Sequence, residues 1–238
     1  MANLVSKVLD ALEGKVMIFY AIALAFLIIN FQESFGLAFL GIAFANLTIV
    51  AAEQFGWISR VTNISFGTNG WTNALILGVV IWGVFIGLSM VAQSLSFQSV
   101  VNLQSERVLA LQTSKVTGAL AQSVLVPFVE NIAFFGQGLQ LALLGALNFT
   151  TALGLGSGIG PFSLAGIIAS VIIGLAFAIF HLTAKINQGT PGLWNTAIFG
   201  FVLSMASLAT SDTAPGIITH ILNNGYVSLP LLSLGGAM

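Results

Sequence analysis

The chain has 238 residues, 57% hydrophobic and only 5% charged, with a formal net charge of −1 and a mean hydropathy of +1.03. A soluble domain carries about 25% charged residues, so a soluble globular domain is excluded. A disordered chain and a nucleic-acid binder with a basic stripe are excluded with it. What remains is an all-α, polytopic integral membrane helix bundle, read as a single membrane domain over residues 1–238. With no Cys in the chain, disulfides, Cys-ligated metals and thiol nucleophiles are excluded too.

In chain order, the N-terminus reads as a short amphipathic helix lying in the interface. Val5, Val8, Leu9 and Leu12 gather near one face, with Lys7 and Asp10 away from it. Asp10 and Glu13 spoil a basic signal-peptide region, and a second apolar run follows Ser34-Phe35-Gly36 at once. The segment is therefore expected to be retained. About eight apolar runs then suit transmembrane helices of roughly 20 residues. They lie at 16–31, 35–52, 72–92, 118–135, 138–154, 162–184, 193–210 and 215–232. All are continuously apolar, without the two-residue alternation of a membrane barrel.

Residues 93–117 are Ser- and Gln-rich and hold Glu106, Arg107 and Lys115. They are expected at the membrane surface. The Gly-rich stretch from Gly154 to Pro161 lacks the strand and helix context of a nucleotide-binding loop and reads as a turn. Trp57, Trp71, Trp82 and Trp194 mostly fall near the ends of the expected spans, as interfacial anchors do. Three Asn-x-Ser/Thr triplets, at Asn46, Asn63 and Asn148, are at chance level. Lys7 and Lys15 favour a cytoplasmic N-terminus, but six basic residues leave the orientation undetermined.

Ionisable and strongly polar side chains inside apolar runs are costly, about 2.5–3.5 kcal/mol for a charge at a helix centre, and mark the places to seek function. Glu130 lies in Val124–Gly136 with no Lys or Arg close in sequence. It has the character of a general base, or else of a helix-bridging polar group. His181 follows Phe177 by one helical turn, so the ring can restrict the imidazole. The rival is an interfacial His at a helix end. His220 and Asn224 share a helical face through their i, i+4 spacing and could polarise a carbonyl and steady an oxyanion. Their rival role is a polar stripe joining helices, which Thr219 and Asn223 fit better. The chain's two His and this Glu lie on three different runs, and convergence in the bundle core would suit water activation. Two His and one Glu satisfy a zinc site in kind, but helical HExxH spacing is missing. The sequence leaves a divalent metal open and requires no cofactor.

This pattern resembles the CPBP family of intramembrane proteases, the type II CAAX prenyl protease or ABI family. Its motifs are Glu-Glu-x-x-x-Arg, Phe-x-x-x-His and His-x-x-x-Asn/Asp. The first corresponds to Glu130-Asn131-Ile-Ala-Phe-Phe135, and the second and third are intact at Phe177–His181 and His220–Asn224. The resemblance covers about residues 115–230, giving a CPBP-like core at 115–232 after N-terminal helices at 1–114. It implies that Glu130 activates water and that His181, His220 and Asn224 position water and stabilise the oxyanion. The implied activity is an intramembrane endopeptidase acting on a membrane-embedded peptide or protein, prenylated or not. Two positions depart from the pattern: Asn131 stands for the second Glu, and Phe135 for the Arg. They remove opposite charges together, and they favour a second reading, a non-catalytic structural or assembly subunit of a larger membrane complex. A third reading is a proton-coupled transporter, which intramembrane Glu and His suit, although inverted repeats are not evident.

Overall fold

The computed structural model describes residues 2–59, 64, 66–67, 70–94, 110–182 and 189–234. Seven helices run through these residues. They are α1 (Ala2–Asn30), α2 (Glu33–Gln54), α3 (Trp71–Ser94), α4 (Lys115–Ala152), α5 (Leu164–Phe180), α6 (Gly189–Thr210) and α7 (Ala214–Leu234). Four of them contain a stretch long and apolar enough to cross a membrane: Glu33–Gln54, Trp71–Leu88, Lys115–Ala152 and Gly192–Thr210. Lys15–Asn30 and Leu164–Phe180 are shorter apolar helices.

The expected count of about eight spans is not reproduced among the described residues, for an identifiable reason. The runs 118–135 and 138–154 are one continuous helix, α4. The two expected runs part at residues 136–137, but the chain there widens into π-helical turns over Asn131–Gly138 and goes on. A second π-helical stretch, Ala121–Leu125, lies one turn before Glu130. Extra residues are thus absorbed inside the helix instead of ending it. The N-terminus differs in the same sense. The expected amphipathic segment and first span are a single helix, α1. Trp82 also lies in mid-helix, in α3, edge-on to Tyr226 with ring centroids 5.9 Å apart. Of the expected surface segment 93–117, residues 95–109 lie outside the described residues.

Packing divides into two buried clusters that meet at α4. One joins α1, α2, α4 and α7 through Tyr20, Leu27, Phe31, Phe39, Val126 and Val129. The other joins α3, α4, α5 and α6 through Phe85, Phe135, Leu139, Leu143, Phe177 and Leu203. Small residues let the helices approach closely, as in other membrane bundles. A Cβ on Gly174 of α5 would stand 2.6 Å from the Ala197 carbonyl of α6. One on Gly78 of α3 would stand 2.6 Å from Ile218 of α7. The Thr219 hydroxyl adds polar glue between α7 and α3 by donating to the Gly78 carbonyl at 2.9 Å. Outside these seams large apolar side chains face outward, with Ile29, Phe44 and Leu47 each more than 70% exposed, as a lipid-facing surface requires.

Two local ties position the site. The start of α7 is capped by buried Asp212, whose carboxylate accepts from the backbone N–H of Ala214 at 2.9 Å and of Gly67 at 2.7 Å. The α1–α2 corner is held to the chain before α4 by a small antiparallel bridge between Phe31 and Leu111. In it Gln32 donates to the Ala110 carbonyl at 3.0 Å and Gln112 to the Asn30 carbonyl at 2.8 Å. Between α4 and α5, Gly154 and Gly156 adopt φ of 68° and 113°. Those values favour glycine and make the Gly-rich stretch a turn.

Candidate active site

Glu130 sits on α4 between the two π-helical stretches, 1% exposed. Its carboxylate lies between two imidazoles. Oε1 is 3.5 Å from His181 Nε2, and Oε2 is 3.7 Å from His220 Nε2. Both His are 3% exposed. α4, α5 and α7 thus each deliver one group to a single buried point.

The far nitrogen of each imidazole decides what the near nitrogen can offer. His181 follows the last residue of α5. Its Nδ1 is 2.7 Å from the Phe177 carbonyl, an acceptor, so Nδ1 carries the hydrogen and donates. In the neutral ring Nε2 then turns a lone pair toward Glu130. The Phe177 ring lies 4.3 Å from the imidazole, centroid to centroid, and restricts its tilt. His220 is arranged in the opposite way. Its Nδ1 is 2.9 Å from Asn131 Nδ2, an amide nitrogen that also donates to the Pro127 carbonyl at 2.7 Å. Nδ1 of His220 therefore accepts, and its Nε2–H points at Glu130. Glu130 lies between a base on one side and a hydrogen-bond donor on the other.

Asn224, 2% exposed, reaches the same face of α4 one turn beyond His220. Its Nδ2 donates to the main-chain carbonyl of Gln122 at 3.1 Å. Asn131 is fully buried, and its Oδ1 lies so near α7 that a Cβ on Gly216 would stand 2.9 Å away. Phe135 is fully buried, with its ring centroid 5.3 Å from that of Phe177. The ring stack Phe135–Phe177–His181 therefore fills the ground where the resembled pattern carries Arg. Among the described residues no group of three His, Cys, Asp or Glu side chains is set to hold a metal ion.

Sequence reasoning missed one residue here, Gln122. It is fully buried, and neither its Nε2 nor its Oε1 has a hydrogen-bond partner among the described residues. Together with Glu130 it lines a cavity of about 10 Å³ whose other walls include Phe31, Phe35, Phe39 and Phe180. The signal available was an amide in an apolar run eight residues before the Glu, which on a regular helix lies about 80° round from it. The wider π turns over Ala121–Leu125 reduce that rotation, and primary structure alone does not announce them.

Residues 112–226 match the family described as Type II CAAX prenyl endopeptidase Rce1-like. The matched residues include all three motif positions, and the match is consistent with the resemblance to the CPBP family. Family and apolar helices together make the chain an integral membrane protein. No curated protein and no solved structure matches it.

Proposed function

We propose that this chain is a multi-pass intramembrane endopeptidase in which Glu130 activates water for attack on a peptide bond. The observation that carries this reading is the position of the Glu130 carboxylate between His181 Nε2 and His220 Nε2. Glu130 removes a proton from water as the water oxygen bonds to the peptide carbonyl carbon. The carbonyl oxygen becomes an oxyanion, to which the Nε2–H of His220 can donate. As the tetrahedral intermediate collapses, the C–N bond breaks and the leaving amine takes the proton held by Glu130. Once Glu130 holds the proton, the Nε2 lone pair of His181 can accept from it and orient the carboxyl until the proton passes to the leaving amine. Asn224 acts through the Gln122 backbone and fixes α7 against α4. The substrate class is a peptide or protein segment embedded in the bilayer.

The test uses the purified chain in lipid vesicles with a mixture of quenched-fluorescent peptides, prenylated and unprenylated. Glu130→Gln keeps size and removes the basic oxygen. Cleavage should fall roughly 10²–10⁴-fold with the helical circular dichroism unchanged. Retained cleavage would remove Glu130 from the mechanism. A second reading, a non-catalytic assembly subunit, is favoured by the uncharged Asn131 and the aromatic stack at Phe135. No cleavage by the native chain, with stable co-purification in a larger assembly, would select it.

A further inference from the structure

Gln122 has both ends of its amide buried without a partner among the described residues, which leaves the desolvation of each group uncompensated. Such a residue is kept where it binds something. It sits on a π-helical stretch, a form frequent at functional sites, and faces the cavity that Glu130 also faces. That cavity, about 10 Å³, is at the size of one water, which also needs two to four polar partners. Gln122 Oε1, Gln122 Nε2 and the Glu130 carboxylate supply that number. The remaining wall is apolar and mostly aromatic, with Phe31, Phe35, Phe39 and Phe180 beside Ala38 and Val126. An apolar wall gives a water no alternative partner, so its bonds are confined to the amide and the carboxylate.

We propose that Gln122 is a positioning residue that holds a single water against Glu130. The water lies on the face of the carboxylate turned toward the α1–α2 corner. The amide oxygen accepts one hydrogen of the water, Glu130 accepts the other, and Nε2–H donates to the water oxygen. The water's lone pair is steered by the amide, and its proton already points at the base. The proposal deepens the hydrolytic reading and rests on it for the fate of the water, not for its presence.

The test separates the two. The chain has five glutamates, Glu13, Glu33, Glu53, Glu106 and Glu130, so carboxyl-¹³C-glutamate labelling in lipid bilayers gives a short spectrum, and Glu130→Gln assigns the signal of interest. Water-edited solid-state NMR should show rapid transfer of magnetisation from water to the Glu130 carboxyl. In Gln122→Met, similar in length and without hydrogen bonds, that transfer should fall to the level of buried methyl groups. The main-chain carbonyl that Asn224 uses is unchanged in this variant. Gln122→Asn, which keeps the amide, should retain part of the transfer. No transfer at Glu130 in the native chain overturns the proposal, as does undiminished transfer in a folded Gln122→Met. The native measurement decides even if the variant does not fold, and a chain without peptidase activity decides nothing against it. Where cleavage is measurable, Gln122→Met should lower kcat roughly 10–100-fold with KM unchanged. A change confined to KM would assign Gln122 to substrate binding and overturn the water role.

Discussion

Pro127 and Asn224 complete one another across the α4–α7 seam. In the π-helical stretch Val126 donates its N–H to the carbonyl five residues back, that of Ala121. The next donor in that register belongs to residue 127, a proline, which has none. The Gln122 carbonyl, which that donor would have met, accepts instead from Asn224 Nδ2 at 3.1 Å. A helix defect on one element is thus the docking point of the other.

A double-mutant cycle measures this dependence. Asn224→Ala strips the partner from a buried carbonyl and should cost about 1–3 kcal/mol. In a Pro127→Ala background the new N–H can take that carbonyl, and the cost of Asn224→Ala should shrink. A coupling of about 0.5–3 kcal/mol in detergent unfolding midpoints is the expected result. Strict additivity would mean that the two residues stabilise the seam independently.

The two His are held in opposite tautomers, and because the chain has only two their ¹⁵N spectra are readily assigned. With both rings neutral, His181 should carry its proton on Nδ1 and His220 on Nε2. Asn131→Leu removes the donor to His220 and should abolish the preference there while leaving His181, held by the Phe177 carbonyl, unchanged. Identical tautomers in the native chain would contradict the assignment.

Gly216→Ala tests how tightly Asn131 is placed. The new Cβ would stand 2.9 Å from Asn131 Oδ1, so the amide must move, and with it the hydrogen bond to His220. The expected result is about 1–3 kcal/mol of destabilisation together with a disturbed His220 ¹⁵N signal and an unaltered His181 signal. A stable variant with both signals unchanged would show that the backbone absorbs the methyl group.

Phe135→Arg and Asn131→Glu restore the two charged positions of the resembled motif. Alone, Phe135→Arg places a charge in a fully buried ring stack and should destabilise the fold by about 2.5–3.5 kcal/mol or more. Adding Asn131→Glu, one turn away on α4, should recover part of that loss. Faster peptide cleavage by the double variant would identify the native chain as a weakened hydrolase. Unchanged cleavage would mean that the aromatic stack performs the positioning.

The helical membrane character and the approximate place of each apolar run were legible in the sequence, because a bilayer demands long apolar segments with internally satisfied backbones. Glu130, His181 and His220 stood out for the complementary reason that such a segment tolerates few ionisable groups. What the sequence hid depends on backbone register. The runs ending at 135 and beginning at 138 read as two spans, yet the i→i+5 turns there keep α4 unbroken. Asn224 read as a group aimed into the site; that its Nδ2 also donates to the Gln122 carbonyl was not legible, because no side-chain pattern marks which carbonyl a proline has left open. Gln122 was passed over because an amide in an apolar run carries little of the penalty that marks a charge.

The bridge between Phe31 and Leu111 has a consequence for how the molecule can diversify. It stitches the corner bearing Phe31, Phe35 and Phe39 to the start of the segment, 112–226, that carries the family's motifs. Much of the wall over Glu130 is therefore encoded in a stretch of chain outside the one that encodes the chemistry, yet is fastened to it in space. On the hydrolytic reading, drift at positions 31–39 reshapes the approach to the carboxylate without touching a reacting group. Two chains with identical motifs can then select different peptides, and a fragment restricted to 112–226 would present Glu130 with that side unwalled.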